Sequence, residues 1–331
     1  MGINKFLLLM FILFSLMWGL SSSSWFSLWM ALEINSMMIM PLMLIKTHQQ
    51  YSESTIKYFL IQSISSLSFI MSSLMINNPL WMFTELNMIS NFIMLIMMMK
   101  IGMFPFMMWY IEIITKTSFL AMKLIMTIQK ILPMIIINMM VNNYNMLYFM
   151  IMINMMISSI IALNQINMKK ILSLSSVNHM GWMLMSLIFN YSTFIIYFMV
   201  YTTILWTIIS FLKIYSIKYI MQMFLMNNIC MMLSVMSMAG LPPFSGFMMK
   251  WMIINLMMNY YMIMLSLIMI LSSVISLYFY LRLIMLSFMM SFIKMKWSLK
   301  INYNFMKNFM NMISMLNLMS VPFLNFIFML L

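Results

Sequence analysis

Residues 86–110 read LNMISNFIMLIMMMKIGMFPFMMWY, an apolar stretch interrupted by a lysine, a glycine and a proline. About 20 apolar residues suffice for a helix to cross a bilayer. A charge near the bilayer centre costs at least ~2.5–3.5 kcal/mol on insertion scales, while Gly102 and Pro105 weaken the helical hydrogen-bond ladder. Lipid tolerates such a break only where protein or a water-filled cavity satisfies the freed groups. The stretch therefore predicts an interrupted membrane helix with Lys100 inside the protein.

A second stretch repeats this combination. Residues 240–250 read GLPPFSGFMMK, inside an apolar run over residues 229–258. The two interrupted runs lie five spans apart and therefore cross in opposite directions, which is the pattern of inverted five-helix repeats. Interrupted segments at matching positions of two halves are typical of a transporter's ion site. The alternative is a pair of ordinary proline kinks.

The composition predicts an all-α, polytopic membrane protein. The chain has 331 residues, of which 65% are hydrophobic and 6% are charged, too few charges to cover a soluble domain. We predict one domain over 1–331, with inverted repeats at 1–140 and 146–285 and a basic loop and last helix at 286–331. Apolar runs predict about eleven spans, at 5–20, 25–45, 58–76, 86–110, 119–140, 146–163, 171–189, 194–212, 229–258, 261–281 and 312–331.

Loop cations predict the orientation of the chain. When successive loops are assigned alternately to two sides, all the loop cations fall on the side of the N-terminus. By the positive-inside rule that side is the cytoplasm or matrix, so the C-terminus is outside. The net charge of +13 then reflects membrane topology, and nucleic acid is not a predicted partner. These cations are Lys5, Lys46, Lys57, Lys116, Lys169, Lys170, Lys213, Lys218, Arg282, Lys294, Lys296, Lys300 and Lys307.

The remaining charges within the predicted spans are candidates for function. Lys123 lies near the end of its span and can snorkel to the interface, whereas Lys100, Lys130 and Lys250 lie deeper. A buried lysine can be tuned to exchange protons near neutral pH, and a carboxylate such as Glu33 within ~4–6 Å would hold it charged. The alternative for Glu33 is a structural ion pair.

His179 lies near the middle of its predicted span. The titration range of histidine suits a proton relay. A core histidine hydrogen-bonded to Ser175, Ser176 or Asn178 is an equal alternative. With two histidines, one cysteine and no aspartate, haem, iron–sulfur and Gly-rich nucleotide sites are excluded, so redox chemistry would occur on partner proteins.

Several motifs resemble one known family. The resemblance covers nearly the whole chain and points to the subunit 2 family of mitochondrial NADH:ubiquinone oxidoreductase, respiratory complex I. One difference is Met107, where the family usually has histidine, and Lys123 is not a family position. The motifs are WMALEIN (29–35), KYFLIQ (57–62), KIGMFPFMMW (100–109), QKILP (129–133), LNQ (163–165) through SSVNHMGW (175–182), and GLPPFSGFMMKW (240–251).

The resemblance implies an antiporter-like subunit of the membrane arm with one proton channel. It assigns Glu33 and Lys100 to a charge pair, Lys130 to a central relay and Lys250 to the exit side. It implies a mitochondrial inner-membrane location with the N-terminus in the matrix and the C-terminus in the intermembrane space. Lipids and other membrane-arm subunits, including neighbouring antiporter-like subunits, are the implied partners. NADH, FMN, iron–sulfur clusters and ubiquinone are expected in partner subunits and none in this chain.

Two other functions remain open at the level of sequence. A stand-alone sodium/proton antiporter would need acidic or other oxygen ligands for sodium, and buried acidic groups are scarce here, with Glu33 the clear one. A purely structural membrane subunit predicts that Lys100, Lys130 and Lys250 can be replaced by methionine without changing turnover.

Overall fold

The apolar runs fold as helices throughout the part of the chain that is described. A computed structural model describes residues 2–44, 49–77, 86–140, 144–225 and 229–292. The prediction of an all-α membrane protein is confirmed over these residues. Their α-helices are α1 (Gly2–Ser21), α2 (Trp25–Met43), α3 (Gln49–Asn77), α4 (Leu86–Ile101), α5 (Met107–Lys116), α6 (Phe119–Met126), α7 (Ile128–Met140), α8 (Tyr144–Leu163), α9 (Met168–Phe189), α10 (Tyr191–Ile214), α11 (Ile229–Ala239), α12 (Ser245–Asn259) and α13 (Ile263–Phe292).

Polar side chains at the starts of helices set several of these boundaries. The Ser24 side chain accepts a hydrogen bond from the Ser27 N–H at the start of α2. Ser118 caps α6 in the same way, and Asn167 accepts from the Lys169 N–H at the start of α9. These caps satisfy N–H groups that have no partner within the helix.

Helix lengths support membrane crossing without fixing the number of spans. Seven helical stretches of the described residues are long and apolar enough to cross a bilayer. Three of the predicted spans are divided between two helices, namely α4 with α5, α6 with α7, and α11 with α12. The predicted span at 312–331 lies outside the described residues, as do the predicted loop cations Lys46, Lys294, Lys296, Lys300 and Lys307. The count of eleven therefore stays a prediction.

The chain divides into two compact units, Met1–Asn154 and Met155–Leu331. In the first unit, α2 packs on α1 and α3, and α4 packs on α3 and α7. In the second, α10 packs on α9, α11 and α12, and α11 packs on α13. The boundary falls within α8, so the repeat boundaries at 140 and 146 stay predictions.

The single arginine of the chain organises one end of the second unit. Arg282 on α13 donates from Nη1 to the Leu163 carbonyl and from Nη2 to the Gln165 carbonyl, both at 2.8 Å. Leu163 is the last residue of α8, so its carbonyl has no partner within that helix. The planar guanidinium reaches both carbonyls at once, which an ammonium on a single stem cannot reproduce.

Replacing Arg282 with lysine should therefore destabilise the second unit. We expect a loss of about 1–3 kcal/mol, because hydrogen bonds to a charged group are lost while the carbonyls stay in place. The measurement is the midpoint of thermal inactivation in detergent or nanodiscs. Lys213→Arg, a change at an exposed lysine, is the control and should leave the midpoint unchanged. An equal midpoint for Arg282→Lys and the unmodified protein would contradict this role.

Candidate functional site

The break between α4 and α5 is a true interruption of the helix. Gly102 has φ +78°, in the left-handed region that favours glycine. The Met103 N–H donates to the Met98 carbonyl at 3.1 Å, as in a Schellman motif that ends a helix. The Phe104 N–H donates to Asn154 Oδ1 at 2.9 Å. Asn154 is fully buried and satisfies a backbone group that the break leaves free.

The break between α11 and α12 has the same local design. Gly240 has φ +79°, and the Leu241 N–H donates to the Met236 carbonyl at 3.4 Å. Lys250 reaches back from α12, and its Nζ donates to the Ala239 carbonyl at 3.0 Å. A Cβ atom on Gly240 would lie 2.9 Å from Lys250 Nζ, so a side chain there would displace the lysine ammonium in addition to straining the backbone at φ +79°. The alternative of ordinary kinks is wrong, because the helix ends and restarts at both places.

Lys100 and Glu33 lie in the first unit and interact at a distance. Lys100 is buried, and its carbonyl accepts from Gln62 Nε2 at 3.2 Å. Glu33 is half-buried, and its charge acts on the Lys100 ammonium and on the Tyr58 hydroxyl. Among the described residues Glu33 makes no ion pair within 4.0 Å. The structure thus places a carboxylate near Lys100 without direct contact.

Lys130 lies next to an interruption that the sequence did not predict. The span at 119–140 is divided at Thr127, whose backbone leaves helical geometry at φ −120° and ψ −79°. The Thr127 hydroxyl donates to the Lys123 carbonyl, and the Lys130 N–H donates to the Thr127 carbonyl. Pro133 lies within α7, so the Gln129 carbonyl loses its helical donor. Lys130 is 2% exposed, whereas Lys123 is half-buried.

A buried polar network joins three helices beside Lys130. Tyr58 on α3 donates to Gln129 Oε1 at 3.1 Å, and Gln129 Nε2 donates to Asn35 Oδ1 on α2 at 2.8 Å. Tyr58 and Asn35 are almost fully buried. Such a network holds its members in fixed positions, because each polar group would be costly to bury without a partner. It fixes the start of α7, where Lys130 lies.

His179 is buried in the second unit with aromatic partners. Its Nδ1 lies 2.8 Å from the Tyr197 hydroxyl, and its ring centroid lies 5.3 Å from that of Tyr201. Both tyrosines are on α10 and are buried. The partners considered from the sequence were Ser175, Ser176 or Asn178. Tyr197 was not among them, because the sequence gives no signal that a residue of α10 contacts a residue of α9.

Four charged side chains form an exposed ion network at one end of the first unit. Lys57 Nζ lies 2.9 Å from Glu112 Oε2 and 3.1 Å from Glu53 Oε1. Lys116 Nζ lies 2.5 Å from Glu53 Oε1. The network joins the start of α3 to the end of α5. Exposed pairs add little stability, but these contacts place Lys57 and Lys116 at one end of this unit.

No group of three or more histidine, cysteine, aspartate or glutamate side chains is positioned to hold a metal ion within the described ranges. The ionisable groups inside the first unit include lysine, phenol and carboxylate groups, and those inside the second include lysine, imidazole and phenol groups. All of these can hold or exchange a proton. In the first unit Lys100 and Lys130 each lie beside an interrupted helix, and in the second unit Lys250 does so. Interrupted apolar helices that carry buried lysines are typical of an antiporter-like membrane protein.

Comparisons with known proteins agree with this class. Residues 22–276 match the family described as NADH:quinone oxidoreductase/Mrp antiporter, TM. NADH-ubiquinone oxidoreductase chain 2 of Anopheles gambiae is 35% identical over 317 residues, covering 91% of each chain. The chain therefore belongs to the NADH:quinone oxidoreductase/Mrp antiporter family and, within it, to the NADH-ubiquinone oxidoreductase chain 2 proteins.

Two solved structures share the fold. A chain of respiratory complex I from Thermus thermophilus has a TM-score of 0.80 at 16% identity, covering 96% of this chain and 78% of that one. A chain of the Mrp complex from Dietzia has a TM-score of 0.72 at 14% identity, covering 83% of this chain and 59% of that one. At these identities the likeness concerns the fold alone.

Proposed function

We propose that this chain is a proton-translocating membrane-arm subunit of NADH:ubiquinone oxidoreductase. It couples electron transfer from NADH to quinone, carried out in other subunits, to proton transfer across the membrane. Membership of the chain 2 family supports this function. The single observation that carries the mechanism is the burial of Lys100, Lys130 and Lys250 beside interruptions of the membrane helices.

Each buried ionisable group has a proposed role. Glu33 modulates the charge on Lys100 by an electrostatic interaction that strengthens or weakens as the distance changes. Lys130 is the central relay, Lys250 is the exit-side lysine, and His179 is a further relay group. The lone pair that a neutral lysine presents accepts a proton, and the charged form donates it onward. In this proposal, water molecules near the interruptions carry protons between these groups.

The proposed location is the mitochondrial inner membrane. The relatives are NADH-ubiquinone oxidoreductase chains of animals, and the apolar helices make the chain a multi-pass membrane protein. We place the N-terminus in the matrix and the C-terminus in the intermembrane space. The contacts among Lys57, Lys116 and Glu53 support a common side for these two lysines.

Within the second unit, other contacts support the same assignment. The Met168 N–H donates to the Lys218 carbonyl, and Arg282 bonds the carbonyls that follow α8. Lys169 and Lys170, which follow Met168, therefore lie at the same end of this unit as Lys218 and Arg282. The positive-inside rule requires this arrangement.

The proposed partners are the other subunits of the complex, including neighbouring antiporter-like subunits, together with membrane lipids. NADH, FMN, iron–sulfur clusters and ubiquinone bind in those partner subunits. The residues of this chain contribute proton transfer and no redox step.

A stand-alone sodium/proton antiporter is the second candidate, because the family that residues 22–276 match also includes Mrp antiporters. Copurification separates the two functions. We expect the chain to purify only with NADH-oxidising activity, whereas an independent antiporter would exchange sodium for protons in vesicles that lack the other subunits.

Replacing Lys250 with methionine tests the proposed function. Methionine keeps most of the volume and removes the titratable group, so proton transfer through this chain should slow on the order of 10²-fold. The measurement is the number of protons pumped per NADH oxidised by the purified complex in proteoliposomes. Lys213→Met, at an exposed lysine, is the control with normal pumping. Normal pumping by Lys250→Met would favour a structural subunit instead.

A further inference from the structure

The surroundings of Lys130 include one aromatic ring that faces its charge. Lys130 Nζ lies 4.6 Å from the centroid of the Tyr110 ring. A cation within about 6 Å of a ring centroid is attracted to the face of the ring, and the attraction is stronger when both groups are desolvated. Tyr110 is 1% exposed and Lys130 is 2% exposed. The ring therefore favours the charged form of Lys130 at a defined position.

Tyr110 is also fitted against the helix break. A Cβ atom on Gly102 would lie 2.5 Å from the Tyr110 Cβ and 2.8 Å from its Cγ. The ring thus packs directly on the backbone where α4 ends. A change of backbone conformation at Gly102 would displace Tyr110, and hence the ring that Lys130 faces, because packed side chains transmit such shifts.

Helix α5, which carries Tyr110, is joined to α3 by ion pairs near its C-terminal end. Glu112, two residues after Tyr110, pairs with Lys57 of α3, and Lys116 at the end of α5 pairs with Glu53. The ring therefore lies between the break at Gly102 and an ion network that joins α5 to α3. If α5 moved relative to α3, Tyr110 would move with α5, and its ring would change position relative to Lys130.

We propose that Tyr110 is a positioning residue that links the α4–α5 break to the charge on Lys130. The inference rests on the proposed proton-transfer role of Lys130. When the break and α5 hold the ring over Lys130, the ammonium is stabilised, and when the ring moves away, the proton is released more readily. Other charged groups on helices packed around α7 are Lys5 on α1, Glu33 on α2, Lys100 on α4 and Lys123 on α6.

Three substitutions at Tyr110 in the assembled complex test this inference. Tyr110→Phe keeps the ring and removes the hydroxyl, so it should pump normally. Tyr110→Leu and Tyr110→Met remove the ring, and at equal complex content they should show the same direction of loss in protons pumped per NADH as Lys130→Met, up to the size of that variant's loss. Methionine is included because its flexible side chain fills irregular space and preserves assembly. Phe69→Leu, at a buried ring of α3 that packs on Trp25, is the matched control with normal pumping.

Normal pumping by both Tyr110→Leu and Tyr110→Met would overturn the inference. Equal losses in Tyr110→Phe and Tyr110→Leu would also overturn it, since the hydroxyl and not the ring would then matter. Lys130→Met, measured in parallel, separates this failure from a failure of the proposed function. If Lys130→Met stops proton transfer while the ring-deleted variants pump normally, only the role of Tyr110 is wrong.

Discussion

Replacing Lys130 with alanine should abolish most proton transfer through this chain while the complex still assembles. Lys130 is 2% exposed, and it is positioned by Thr127, by the Gln129 network and by the Tyr110 ring. Alanine removes the group that accepts and donates the proton, a loss typically worth about 10²–10⁴-fold in the transfer rate. Coupled NADH oxidation should slow as well to the extent that electron transfer requires the coupled proton transfer through this chain.

Matched variants separate chemistry from packing. Lys130→Met fills much of the volume that alanine leaves empty, so it should restore stability without restoring pumping. Lys123→Met, at the half-buried lysine of α6, should pump normally. The measurement is the ratio of protons pumped to NADH oxidised in proteoliposomes. Normal stoichiometry in Lys130→Ala would exclude Lys130 as the relay.

Replacing Gly246 with alanine should have the largest effect on stability. Gly246 is the second residue of α12, and a Cβ atom there would overlap the Ser237 carbonyl oxygen of α11. Backbone cannot move aside as a flexible side chain does, so α11 and α12 would have to separate. We expect a cost of at least about 3 kcal/mol, above the usual range for overpacking, and a clear loss of assembled complex.

Gly19→Ala is the matched control. A Cβ atom at Gly19 would meet the two methyl groups of Leu132 at 2.7 and 2.9 Å, and a leucine side chain can change rotamer to make room. The amount of complex on native gels and its thermal inactivation temperature measure both variants. Equal assembly of Gly246→Ala and Gly19→Ala would contradict the close approach of α11 and α12.

The features predicted well from sequence are those that depend on local chemistry. Gly102 and Gly240 with their following prolines predicted the two helix breaks, because glycine adopts positive φ and proline lacks an N–H. Apolar runs predicted the helices and isolated Lys100, Lys130 and Lys250 as buried charges. The interruption at Thr127 was missed, since a single threonine lowers helix propensity only slightly.

The partners of the buried groups could not be predicted in the same way. Asn154, which caps the break at Phe104, lies fifty residues further along the chain. Tyr197 meets His179 across two helices. These pairs depend on which face each helix turns toward its neighbour and on how the helices pack. The spacing of apolar residues indicates the buried face only when the other faces are polar, and most faces of these helices are apolar. The roles of Glu33, Lys100, Lys130, Lys250 and His179 remain predictions.

A high-resolution structure of the intact membrane complex under turnover, with ordered water resolved, tests the central proposal most directly. The proposal predicts chains of water that connect Lys130 to both sides of the membrane, in one state or in two states that alternate. Lys130 enclosed by apolar side chains on both sides in every state, without connecting water, would contradict a proton path through this chain.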